Sequence, residues 1–322
     1  MLVITSMFFM KDTGFKSLNI VDFSIGGVDT RSESEMYDLI LAVAQEDERI
    51  RAVYMNGSRT NPNVPSDIFQ DFDIVYVVTE TASFLKDDKW LKVFGELIML
   101  QEPDKLGQGV GVNIDFKRSY GYLMLFTDGN RIDLHIQTKE SMVEEYGEDK
   151  LTIPLLDKDN CLPTIPVPTD TDYHVQPPTE SEFISCTNNF WWCMQNVAKG
   201  IWRDELPYAK RMFEEVTRVN LDEMVGWWIG TNHNFQVSTG KMGKYFKRYL
   251  PAPNWEMYER TYSDSDYNNF WNSIFATCEL FRILSKEVAS DFSFLYPADD
   301  DKNMTEYLQH VRTLPRDVNG IY

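Results

Sequence analysis

The sequence predicts an α+β region, a mixed β-sheet flanked by helices, followed by an all-α helical bundle. Three observations predict it. Apolar runs at 50–55 and 71–79 read as strands, and two further runs, 120–127 and 131–136, flank Asp128-Gly129-Asn130, a strong hairpin signal. Composition then changes over 151–180, which carries Pro154, Pro163, Pro166, Pro168, Pro177 and Pro178. Beyond it apolar residues recur at helical spacing. The expected division is an N-terminal extension (1–30), the α+β domain (31–160), a Pro-rich linker (161–180) and the helical domain (181–322).

Residues 1–30 are irregular, with Gly26-Gly27 near their end. Ser32 and Glu35 make a capping box for a helix to about Asp47, with Met36, Leu39, Ile40, Val43 and Ala44 on its apolar face. The first strand follows at once. Pro62 and Pro65 forbid a long helix in the loop to Gln70. In the second strand Phe72, Ile74, Tyr76 and Val78 point one way, Asp71 and Asp73 the other. A helical piece near Trp90 and a strand at Leu97–Leu100 come next. The stretch from Glu102 to Asn113, with Gly107, Gly109 and Gly111, reads as a mobile loop. In the second half, helices are expected at 182–202, 207–228, 241–249, 254–262 and 266–289. No internal repeat or low-complexity tract is evident.

A chain of 322 residues, 43% hydrophobic, has the means to bury a real core. Its net charge of -19 repels nucleic acid and attracts cations, so nucleic acid is not an expected partner. Cys161, Cys186, Cys193 and Cys278 form no CxxC pair, which favours reduced thiols and a cytoplasmic location. His135, His174, His233 and His310 lack the spacing of a zinc site. No apolar run reaches the roughly 18 residues of a membrane span. The opening MLVITSMFFMK is short and lacks the basic start of a signal peptide, so no membrane partner is expected.

The chemistry concentrates in three aspartates. Asp71 and Asp73 share a strand face, and Asp133, in RIDLHI, lies on the far strand of the hairpin. Adjacent strands would bring all three together, and three carboxylates ionise side by side only with a counter-charge. Mg²⁺ supplies one, taking oxygen from a few carboxylates plus substrate phosphates. Two such ions, about 3.5–4 Å apart, would activate an attacking hydroxyl and neutralise a leaving pyrophosphate. Gly57 removes a side chain where phosphate approaches, Ser58 offers a hydroxyl and an N–H, and Arg59 adds charge. Each element alone is commonplace: Gly-Ser is usually an ordinary turn, and Asp-x-Asp often a solvated edge. The ordered combination is far more specific.

That combination resembles the signature of the nucleotidyltransferase superfamily that includes DNA polymerase beta, and more closely the aminoglycoside 6-adenylyltransferases, also called streptomycin adenylyltransferases. The resemblance is carried by EDERIRAV (46–53), NGSRTNPNVPSDIFQDFDIVYVVT (56–79), LMLFTDGNRIDL (123–134) and LLDKDN (155–160). VAKGIWRDE (197–205) and GKMGKYFKRYL (240–250) match more weakly. It covers roughly residues 31 to 300, leaves 1–29 as extra, and implies a nucleotidyltransferase domain followed by the helical bundle. It further implies transfer of AMP from ATP to a hydroxyl of streptomycin, inactivating the antibiotic. Asp71 and Asp73 would hold Mg²⁺; Asp133 would complete the metal site or deprotonate the acceptor. The acidic balance suits a guanidinium-bearing drug.

In the helical half, Lys199 and Lys241, with Lys244, are candidates for the triphosphate, against the plainer reading of solvated lysines. Glu182, Glu205 and Glu223 are candidates for the cationic drug. Trp191, Trp192, Trp227 and Trp228 read as core. Two other readings share the motif: the same chemistry on another aminoglycoside, a lincosamide or a protein side chain, and a nucleotide-binding regulatory module without turnover. Neither the oligomeric state nor the hydroxyl modified is legible.

Overall fold

The computed structural model describes residues 29–322; the expected N-terminal extension, with Gly26-Gly27, lies outside them but for its last two residues. Six strands form one mixed sheet: β1 (Ile50–Asn56), β2 (Phe72–Val78), β3 (Leu97–Gln101), β4 (Ser119–Phe126), β5 (Arg131–Thr138) and β6 (Thr152–Asp157), in the order β3-β4-β5-β2-β1-β6. β2 and β5 run parallel, whereas β4 pairs antiparallel with both β5 and β3. The hairpin between β4 and β5 turns at Gly129, whose φ of 86° is the left-handed conformation that a glycine adopts without strain.

By packing, the described residues divide into two units. The first extends to Val53 and resumes over Asp67–Ser141; the second comprises Tyr54–Ser66 and Met142–Tyr322.

In the first unit, α1 (Glu33–Glu46) begins at the expected capping box: the Ser32 hydroxyl accepts from the Glu35 N–H, and Glu35 accepts from the Ser32 N–H at 2.7 Å. Met36, Ile40 and Ala44 are buried, and the Tyr76 hydroxyl donates to the Ile40 carbonyl at 2.6 Å, tying helix to sheet. α2 (Ala82–Lys86) and a short 3₁₀ turn, Asp88–Phe94, follow. The expected loop after β3 is instead partly helical, as α3 (Pro103–Gly109). Pro103 sits at the first helical turn, where its missing N–H costs nothing, and Asp104 accepts from the Gly121 N–H at 2.7 Å. These N-terminal signals outweigh the glycines.

After α4 (Lys139–Glu145), the second unit is built on α5 (Glu180–Trp202), α6 (Leu206–Arg211), a π-helical turn (Met212–Thr217), α7 (Arg218–Asn232), α8 (Phe246–Tyr249), α9 (Ala252–Glu259), α10 (Tyr267–Phe292) and α11 (Ala298–Thr313). α5 buries Phe183, Phe190, Met194, Val197 and Ile201, each contributing about 1.5–3 kcal/mol relative to exposure. Phe190 stacks on Phe281 of α10 at 3.6 Å. Trp191, Trp227 and Trp228 are core as expected, but Trp192 is 64% exposed: it falls on the solvent side of α5. Strand β6 stands at the start of the proline-bearing stretch 151–180, ahead of the expected linker, and only Lys241–Gly243 and α8 stand where one helix was expected. The turn at Gly240 and Gly243, both at positive φ, interrupts it. α11 escapes the periodicity because its sequence is so polar; Leu308 and Val311 are its buried apolar side chains.

Candidate functional site

In the first unit, Asp73 and Asp133 are direct register partners on the parallel strands β2 and β5. Their neighbours Phe72, Ile74, Ile132 and Leu134 are buried, so the alternation of the strands turns the aspartates to the more open face. Asp71 lies one residue before β2. Arg131 draws the carboxylates together. Its Nε and Nη2 donate to the two oxygens of Asp133, each at 2.7 Å, and its Nη1 is 3.3 Å from Asp71 Oδ2. The bonds to Asp133, opposed by partial burial and reinforced by the charges of Asp133, Asp71 and Asp73, hold the guanidinium above its ordinary range. Among the described residues, no three or more acidic, histidine or cysteine side chains are gathered into a group ready to hold a metal ion. One counter-charge among the carboxylates is that of Arg131. The sequence places Arg131 two residues from Asp133 on one strand, and so on its face.

In the second unit a cavity of about 420 Å³ is lined by Gly57 and Ser58, by Asn61, Val64, Leu151 and Tyr173, and by the run Ser238-Thr239-Gly240-Lys241 with Lys244 and Tyr245. Gly57, Ser58 and Lys241 are thus brought to one place, although more than 180 residues separate them in sequence. Gly57 has φ 80°, which only glycine adopts freely; its N–H is bound to the Leu151 carbonyl at 3.1 Å, and its carbonyl accepts from the Thr60 hydroxyl at 2.9 Å. The facing run is equally constrained. Gly240 has φ 72°, and a Cβ there would stand 2.6 Å from Lys244 Cγ. The Tyr245 N–H closes the turn onto the Thr239 carbonyl at 3.0 Å. The cavity therefore presents two lysines, hydroxyls and amides beside the rings of Tyr173 and Tyr245, a lining suited to an anion that carries an apolar group.

The other candidates lie elsewhere. Arg59 is half-buried in the 3₁₀ turn after Gly57 and does not line the cavity. Lys199 lines a separate cavity at the end of α5. Glu182 is the reciprocal partner in the α5 capping box: it accepts from the Thr179 N–H at 2.7 Å and from the Thr179 hydroxyl at 2.8 Å, and these bonds lower its pKa. Glu182, expected as a contact for the cationic drug, is thus engaged at the start of α5. Glu205 caps the start of α6 through its backbone, its side chain exposed. Burial raises Glu223, which is hydrogen-bonded with Cys186.

A family model described as streptomycin adenylyltransferase matches residues 30–311. The chain belongs to that family. It is 43% identical over 272 residues to an aminoglycoside 6-adenylyltransferase of Campylobacter jejuni, covering 84% of this chain and 93% of that protein. It is 40% identical over 284 residues to one from Bacillus subtilis, with 87% and 98% covered. The crystal structure of an aminoglycoside 6-adenyltransferase from Bacillus subtilis is 36% identical, covers 88% of this chain and 100% of its own, and aligns with a TM-score of 0.44. This family member is an enzyme, a nucleotidyltransferase.

Proposed function

We propose that the protein transfers AMP from ATP to a hydroxyl of an aminoglycoside, that streptomycin is the acceptor, that Mg²⁺ is the metal and that the result is resistance to the drug. The observation that carries the reading is the register pair Asp73–Asp133 with Asp71 beside it, in a chain 43% identical to a protein named for this activity. Asp71, Asp73 and Asp133 are hard oxygen donors of the kind Mg²⁺ takes, and a cluster that already attracts one cation side chain fits a divalent ion. When bound, the metal supplies charge neutralisation for the phosphates and a more acidic acceptor hydroxyl.

The chain's own residues do the rest. Lys241 and Lys244 pair with the phosphate oxygens of ATP, and the hydroxyls of Ser58, Ser238 and Thr239 add hydrogen bonds. The acceptor oxygen attacks the α-phosphorus; the bond to the β-phosphate breaks, and pyrophosphate leaves. The hydroxyl proton passes to a carboxylate, and Asp133 takes it once Arg131 releases one of its oxygens. ATP as donor suits a cytoplasmic enzyme; among the described residues no helix is long and apolar enough to cross a membrane.

Incubation with ATP, Mg²⁺ and streptomycin is expected to release pyrophosphate and leave the drug heavier by one AMP. Gain with another aminoglycoside and none with streptomycin would overturn the acceptor; ATP binding without gain on any acceptor would overturn catalysis.

A further inference from the structure

A second cavity, of about 280 Å³, lies within the helical unit and takes no part in the chemistry above. Lys199 and Arg203, one helical turn apart at the end of α5, stand in its lining. Its walls are Trp202, Tyr307, Val311, Leu314, Val318 and Ile321. In a chain of net charge -19, no acidic side chain among the described residues lines it. Much of the wall is the segment after α11, which lies beyond the residues matched by the family model. That segment is fastened down: the Trp202 indole N–H donates to the carbonyls of Leu314 at 3.2 Å and Pro315 at 3.3 Å, and Arg316 donates to the Trp202 carbonyl. Tyr322 stacks on His310 with ring centroids 4.8 Å apart.

We propose that this cavity binds a small aromatic or aliphatic anion, a carboxylate or its like, with its apolar body among Trp202, Tyr307 and Val318 and its charge at Lys199 and Arg203. The helix end alone explains one cation, since carbonyl dipoles there favour positive charge. It does not explain a partly open cavity with aromatic walls and no acidic lining beside two of them. The volume sets the size, at about a dozen non-hydrogen atoms. The charge sets the class, because an apolar body gains by leaving water only if the anionic head finds a partner. The site is separate from the Gly57–Lys241 cavity, with which it shares no lining residue.

Calorimetric titration of the full chain with 2-naphthoate tests it. One molecule is expected to bind, with ATP present or absent, and the neutral 2-naphthylmethanol to bind at least about tenfold more weakly. Lys199→Met and Arg203→Met should each weaken 2-naphthoate about tenfold, Val318→Trp should abolish binding by filling the space, and Lys241→Ala should leave it unchanged. Where circular dichroism shows that a cation variant has not folded, the Val318→Trp result decides. No saturable binding, binding indifferent to Val318→Trp, or binding lost with ATP or with Lys241→Ala would each overturn the proposal. None of these readouts depends on adenylyl transfer, so its fate and that of the proposed function are separable.

Discussion

The carboxylate face of the first unit and the lysine cavity of the second handle charge in opposite ways. One guanidinium, that of Arg131, stands between Asp71 and Asp133, so the three aspartates keep an excess of negative charge. Lys241 and Lys244 stand in a lining that contains no acidic side chain. The first arrangement is negative with one guanidinium already in place, and an incoming cation meets both. The second offers two cations, and an anion entering it meets no carboxylate among the described lining residues. The contrast agrees with the roles proposed above: a cluster of carboxylates suits a cation and chemistry, and two lysines beside a constrained glycine turn suit holding phosphate.

The widest break in that comparison comes from Asp133→Asn and Asp71→Asn. Each is expected to lower kcat by about a thousandfold, because several kcal/mol of charge stabilisation are removed, while circular dichroism stays native. Retained turnover in either would detach that carboxylate from the reaction. A smaller effect is expected at Gly240→Ala. The added Cβ meets Lys244 Cγ at 2.6 Å on a backbone at φ 72°, so the turn must shift. KM for ATP should rise several-fold and stability fall by about 1–2 kcal/mol. An unchanged KM for ATP would show that the turn does not place the lysines.

The pH response sharpens the comparison from outside both sites. Burial pushes the Asp301 carboxyl up, but hydrogen bonds from Arg282 at 2.6 Å and Tyr296 at 2.7 Å more than offset it and hold it below the usual carboxylate range. A depressed folded-state pKa gives stability that is present above the unfolded value, about 3.9, and is lost as pH falls below it. Asp301→Asn should therefore lower Tm at neutral pH and flatten its fall below about pH 4. An equally steep fall in the variant would place the acid sensitivity elsewhere. The smallest effect is expected at Glu182→Gln: a slightly lower Tm from a weakened cap, and an unchanged KM for the acceptor. A raised acceptor KM would restore Glu182 as a drug contact.

The two regions also differ in how legible they were. The carboxylate face followed from period-two alternation plus one hairpin, both local signals, so Asp71, Asp73 and Asp133 were found from the sequence. Arg131 obeys the same alternation, but a lone arginine on an exposed strand face is usually a solvated residue, so its pairing with Asp133 has no sequence signature of its own. The lysine cavity is assembled by tertiary packing across more than 180 residues. Gly57 and Lys241 were each found, but their meeting, and the parts of Tyr173 and Thr239, have no local signature. Lys199 and Glu182 show the reverse case. A lysine near a helix end and a glutamate three residues into a helix are legible as charges, but the end of α5 and its capping box decide where they act.

Steady-state kinetics on Asp73→Asn and Lys241→Ala, side by side with ATP and streptomycin varied, separate the two regions. Asp73→Asn is expected to lose about a thousandfold in kcat with little change in KM for ATP. Lys241→Ala is expected to raise KM for ATP about tenfold and leave KM for the drug alone. Turnover surviving in Asp73→Asn, or a KM for ATP unmoved in Lys241→Ala, would overturn the division of roles between carboxylates and lysines.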